Sequence, residues 1–140
     1  AGEAFAAEGE QMIAALGGPA DLLEKPERHL ARAPIVRPVF PTAPGLVQAI
    51  DTRGVGLAVV ALGGGRTRPQ DAIDPAVGIV DLPGLGEAIG PDRPLGIVHA
   101  RDDAGHAMAE KRLREAYRLG DGAPRRGALI AERITESTNA

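Results

Sequence analysis

Cysteine and tryptophan are absent from this 140-residue chain, and aromatic residues of every kind make up only 2% of it. The first absence removes disulfide frameworks, thiolate metal sites and cysteine nucleophiles together, and it fits a reducing compartment, so a cytoplasmic location is expected. Few aromatics means no stacking platform for bases. The core must come from Ala, Val, Leu and Ile, with Phe5, Phe40 and Tyr117 as its only large rings. Serine occurs once, as Ser137 in a polar tail, which leaves no serine hydrolase to consider. Lysine is confined to Lys25 and Lys111. The stretch Leu85 to Val98, with its Gly-Pro-Asp-Arg-Pro turn, suggests the half-motif of a biotin or lipoyl carrier. Such a carrier needs a lysine at an exposed hairpin tip, and these two stand in a proline-rich stretch and a predicted helix. No apolar run approaches the roughly 20 residues of a membrane span, and Ala1-Gly2-Glu3-Ala4 is no signal peptide, so no membrane partner is expected. The start without Met suggests a chain that begins partway through a longer protein. Net charge is −3 with no basic run, which argues against nucleic acid as a partner.

What is present suffices for one core, since 44% of residues are hydrophobic. Phe5, Met12, Ile13 and Leu16 recur at helical spacing from Glu3 to Leu16, and Gly17-Gly18-Pro19 supplies the stop. Six prolines from Pro19 to Pro44 then rule out a long helix, leaving Ile35 to Phe40 as a strand and the region near Pro34 as a crossing between structural units. Gly45 to Ile50 reads as a second strand. Asp51 is placed to cap a helix over the apolar run that ends at Gly63-Gly64-Gly65. A polar loop, Arg66 to Pro75, leads to a short strand at Val77 to Leu82. The Gly90 to Pro94 turn separates Leu85–Ile89 from a strand at Leu95–His99. Asp102 or Asp103 caps a helix predicted to reach Gly120, with Ala109, Leu113, Ala116 and Tyr117 on one face and Glu110 and Arg114 as an i,i+4 pair. A last strand is predicted at Ala128 to Ile134. Strands and helices alternate without βαβ rhythm, so the class is α+β.

The most conspicuous candidate site is Gly63, Gly64, Gly65, Arg66 and Arg68, because glycines expose backbone N–H groups and two arginines can neutralise a phosphate. It fits neither a dinucleotide fingerprint nor a P-loop, and a helix cap leading into a mobile loop is the competing reading. His99, Asp102, Asp103 and His106 cluster in sequence. The two histidines do not share a helical face, so no metal is expected there, and His29 reads as a surface residue.

The order of motifs nonetheless resembles one family. Leu16-Gly17-Gly18-Pro19-Ala20-Asp21, Asp51-Thr52-Arg53 and Val59 to Arg66, then Asp71 to Gly78 and Arg93 to Ala100, are similar in sequence and order to the carboxy-terminal third of thymidine phosphorylases, over about Phe5 to Ile134. The resemblance implies the last helix of a central α/β domain within residues 1–33, followed by an α/β-hammerhead domain over 34–140. It implies a parent enzyme in which phosphate attacks the anomeric carbon of a pyrimidine nucleoside, with no cofactor, acting as a homodimer. Nothing here matches the family's Ser/Thr/Gly-rich signature, so no catalytic residue carries over and the nucleoside and phosphate are expected to bind in the parent's other domains. The loop from Gly63 to Asp71 is expected to face the cleft. Two alternatives share this pattern: a domain of a nucleoside monophosphate phosphorylase, and a free-standing hammerhead binding module with its ligand at that loop. The opening helix, left without a partner, is expected to let the chain self-associate.

Overall fold

A computed structural model describes residues 2–124, with side chains from Ala6 onward. The first helix, α1 (Gly2–Ala15), ends as its glycines dictate. Gly17 takes φ 87°, and the N–H groups of Gly17 and Gly18 donate to the carbonyls of Ala14 (3.0 Å) and Ile13 (2.9 Å). That pair of bonds is a Schellman cap, which satisfies carbonyls the helix would otherwise leave open. A short helix, α2 (Pro26–His29), begins on a proline in its first turn. His29 pairs with Asp21 at 2.7 Å on the surface, in line with the sequence reading.

Six strands occur among the described residues: β1 (Ile35–Val39), β2 (Gly45–Ile50), β3 (Gly78–Val80), β4 (Ala88–Ile89), β5 (Gly96–Ala100) and β6 (Tyr117–Gly120). They form two three-stranded sheets, in the orders β1-β5-β3 and β4-β2-β6, and every pairing is antiparallel. Odd-numbered strands build one sheet and even-numbered strands the other. The predicted turn at Gly90 is present, closed by reciprocal bonds between Gly90 and Arg93, but it hands the chain from one sheet to the other instead of closing a hairpin. Both longer helices after β2 start on an aspartate whose carboxylate takes a free backbone N–H. Asp51 accepts from Gly54 at 2.9 Å ahead of α3 (Thr52–Val59), and Asp102 accepts from Gly105 at 2.7 Å ahead of α4 (Asp103–Ala116).

Helix α4 corrects the sequence reading at its end. It stops at Ala116, not Gly120, because Tyr117 turns extended (φ −105°, ψ 127°) and opens β6 opposite Ile50. The Asp51 N–H donates to the Ala116 carbonyl at 2.8 Å, and the Tyr117 hydroxyl donates to Pro83 at 3.1 Å. Pairing with β2 and a buried hydroxyl contact outweigh helical periodicity over these four residues, as tertiary context commonly does.

Val39, Val47, Val55, Ile89, Leu95, Val98, Leu113 and Tyr117, with Ala100, Ala109 and Ala116, make one buried cluster. Helix α4 faces it with the expected positions, packing on α3, β1, β5 and β6. The expected Glu110–Arg114 pair also forms, at 2.7 Å. Phe40 is a second correction: it is 39% exposed, since it lies just past β1 in the connection to β2 and outside the interior. Among the described side chains, none from α1 or α2 joins the cluster. The mixed, antiparallel arrangement fits an α+β class, while the predicted strand at Ala128 to Ile134 lies outside the described residues. No helix among the described residues is long and apolar enough to cross a membrane.

Candidate functional site

The glycine-rich candidate sits where α3 ends. The helix widens into a π-helical turn, Val60–Gly64, and Gly63 takes φ 97°, a left-handed conformation that stops it. A Cβ on Gly64 would come within 2.9 Å of the Val59 side chain, and one on Gly65 within 2.7 Å of the Val60 side chain. The three glycines therefore have a local explanation as the end of a helix folded back on itself. Arg66 and Arg68 follow on an exposed loop, and among the described residues neither has an ion-pair partner. Two of the backbone N–H groups beside them, those of Thr67 and Arg68, are already used. Asp71 Oδ2 accepts from Thr67 at 3.1 Å and from Arg68 at 2.8 Å, and the Asp71 N–H returns a bond to the Arg68 carbonyl at 3.0 Å. An anion at this loop would meet the arginine side chains, with the Thr67 and Arg68 N–H groups already committed to Asp71.

The base of the loop is closed twice. The Asp74 N–H donates to the Gly63 carbonyl at 2.9 Å, joining the two ends. The Asp74 carboxylate then takes a two-pronged contact from Arg101, Nε to Oδ2 at 2.5 Å and an Nη to Oδ1 at 2.8 Å, and accepts from the Ala76 N–H at 3.0 Å. These donors hold the Asp74 carboxyl down at about 2, with the Arg101 hydrogen bonds first and the Ala76 N–H second. The Arg101 guanidinium is correspondingly shifted upward by its bonds to Asp74. A carboxyl with a depressed folded-state value contributes stability that is present above its ordinary value of 3.8 and lost as pH falls toward about 2. Following the Asp74 side-chain carboxyl by carbon NMR should therefore show no titration between pH 7 and 4 and a midpoint near the lower value; a midpoint at the ordinary one would mean that the contact is absent in solution.

The histidine and aspartate group near β5 separates into structural roles. His99 lies within β5 opposite Val36 and Gly78, Asp102 caps α4, and Asp103 pairs with Arg37 at 2.8 Å. His106 is buried in α4, with Nδ1 3.9 Å from Glu110. Among the described residues no three His, Asp or Glu side chains converge as metal ligands. An apolar hollow lies elsewhere, lined by the Phe40 to Pro44 connection with Gly90 and Pro91, and does not include the loop.

Sequence reasoning found the loop and its arginines but missed Asp74 and Arg101 as partners. They stand 27 residues apart, and only the end of β5 brings them together. Asp71 was within reach of inspection, since an aspartate three residues after Arg68 and two after Pro69 is a side-chain turn signal.

Comparison with known proteins gives this geometry its setting. A thymidine phosphorylase from Burkholderia orbicola (strain MC0-3) is 57% identical over 111 residues, which is 79% of this chain and 25% of that protein. One from Agrobacterium fabrum (strain C58) is 43% identical over 125 residues, 89% of this chain and 28% of that protein. The chain thus spans about a quarter of the length of the curated relatives it matches. The family model of the pyrimidine nucleoside phosphorylase C-terminal domain matches residues 46–120, from β2 through α3 and its glycine loop to the end of β6, and the chain belongs to that family.

Proposed function

We propose that this chain is the carboxy-terminal domain of a thymidine phosphorylase and that it supports the fold and the closure of the cleft without performing the chemistry. One observation carries the reading: thymidine phosphorylases are 57% identical to this chain over most of its length, yet the match takes up 25% of theirs. In this reading residues 1–33 end a central α/β domain and residues 34–140 form an α/β-hammerhead. That no described side chain of α1 or α2 joins the buried cluster supports that division.

The parent reaction is a pentosyl transfer: phosphate attacks the anomeric carbon of thymidine, the glycosidic bond breaks, and thymine and 2-deoxyribose 1-phosphate leave. It needs cationic donors at phosphate and stabilisation of the departing base, which in this reading belong to the rest of the parent. The parent is a cytoplasmic homodimer without a cofactor, inorganic phosphate being a substrate. Gly63, Gly64, Gly65, Arg66 and Arg68 form the edge of this domain that moves against the cleft, where a loop can gate turnover without touching the reacting bond.

The test compares the full-length gene product with this 140-residue chain in a phosphate-dependent thymidine cleavage assay. The long protein is expected to be active and the chain inert. Cleavage by the chain alone, or none by the long protein, overturns the reading. Phosphate binding by the isolated chain that weakens in Arg66→Ala would instead support a free-standing binding module.

A further inference from the structure

We infer that Asp74 and Arg101 are positioning residues, a latch that fixes the flap carrying Arg66 and Arg68 to the rigid end of β5. This inference rests on the functional reading above for what the flap does, but not for how it is held.

The flap has a stiff tip and a narrow base. Its tip is organised by Asp71, whose side chain and N–H bond back to Thr67 and Arg68, so that the hydrogen bonds found there are internal to the loop. Its ends are joined by the Asp74-to-Gly63 backbone bond. That bond ties the ends to each other and leaves the flap free to tilt as a body about them.

Arg101 supplies the missing constraint. It follows Ala100, which is fully buried at the end of β5, the central strand of its sheet, so the guanidinium reaches out from one of the most firmly held parts of the chain. A guanidinium gripping a carboxylate through two N–H groups fixes orientation as well as distance, which a single charge contact does not. The Ala76 N–H donates to Oδ1, the oxygen that also takes the Arg101 Nη, and Ala76 is itself buried. Asp74 thus joins the flap to the end of β5, its N–H bonded to the Gly63 carbonyl and its side chain gripped by Arg101, whose guanidinium stands more than half exposed.

If closure of the cleft requires this flap at a defined angle, loosening the latch spreads its positions and fewer of them are productive. The effect should fall on turnover, with ground-state binding of nucleoside nearly unchanged.

The experiment uses the full-length gene product and three variants, Asp74→Asn, Arg101→Ala and Arg101→Lys. Asp74→Asn keeps shape and an acceptor for Ala76 while removing the charge. Arg101→Lys keeps charge while losing the two-pronged grip. Tryptic cleavage at the Arg66–Thr67 bond is followed by mass spectrometry, the Arg68–Pro69 bond being a poor trypsin site. Asp74→Asn and Arg101→Ala are expected to speed that cleavage about tenfold, with Arg101→Lys intermediate, and to lower kcat about tenfold with little change in thymidine dissociation constant. Thermal unfolding of each variant is measured alongside, and Arg101→Lys serves as the folded reference if the others are damaged. Unchanged cleavage at Arg66 overturns the latch whatever the activity. Faster cleavage with unchanged kcat overturns the positioning role. Faster cleavage in a full-length protein with no phosphorolysis at all supports the latch and overturns the functional reading instead.

Discussion

Leu113→Ala is expected to lower the unfolding free energy of this domain by about 2–5 kcal/mol, in the upper part of that range. Leu113 is fully buried on the inward face of α4, and several of the residues closing the interior with it are alanines: Ala58, Ala100, Ala109 and Ala116. A cavity is costly when its walls cannot move in to fill it. Alanine has no rotamer with which to do so, and the backbones behind these residues are tied into α3, β5 and α4 itself. Against the roughly 5–15 kcal/mol that a whole domain has, such a loss removes much of the margin. Urea unfolding followed by circular dichroism measures it. A loss below about 1 kcal/mol would mean that α4 can shift to close the gap and is not held as tightly as the cluster implies.

A second large effect is expected at the opposite end of the chain. Met12 is 65% exposed and Leu16 83%, on or just after a helix none of whose described side chains joins the core. Phe5 belongs to the same predicted face, but its side chain lies outside those described. Exposed apolar residues at helical spacing seek a cover, and in the isolated chain the available one is a second copy. Burying such a side chain fully is worth roughly 1.5–3 kcal/mol, so replacing both by glutamate should weaken association by roughly two to four orders of magnitude. Sedimentation equilibrium of the chain and of its Met12→Glu, Leu16→Glu variant reads this directly. A chain that stays monomeric at millimolar concentration contradicts the expectation. In the proposed parent the same face is covered by the central domain, so the association belongs to the isolated chain.

Much of the architecture was legible because it depends on local chemistry. Asp51 announced one helix start and the Asp102-Asp103 pair another, of which Asp102 is the cap. Gly17 and Gly63 announced two ends, and the apolar runs at Ile35 and Gly45 became strands where expected, with the one expected at Leu95–His99 shifted by a residue to Gly96–Ala100. Tyr117 escaped because its preference was set by a partner strand more than sixty residues earlier, and periodicity continuing from a helix looks the same whether or not the backbone stays coiled. Phe40 escaped because large apolar residues are assigned inward by default, while chain direction at a proline-flanked connection decides otherwise. At the candidate site the arginines and glycines were visible as types. The contact that organises them was not, since it joins a loop to the end of a strand that reaches it only after folding.

The distribution of alternate strands to alternate sheets bears on how this domain forms and how it comes apart. Among the described residues no two consecutive strands are paired, so neither sheet can begin as a hairpin of these strands, and each must wait for segments further along the chain. Such non-local topology makes for slow folding relative to size, because the entropy of closing long loops is lost before the contacts return it. It also interlocks the halves. A chain cut at Arg66 separates β1 and β2 from the other four strands, yet each sheet draws strands from both pieces. The two pieces would have to give up both sheets at once to part, so a nicked domain should behave as a complemented pair that unfolds as one unit.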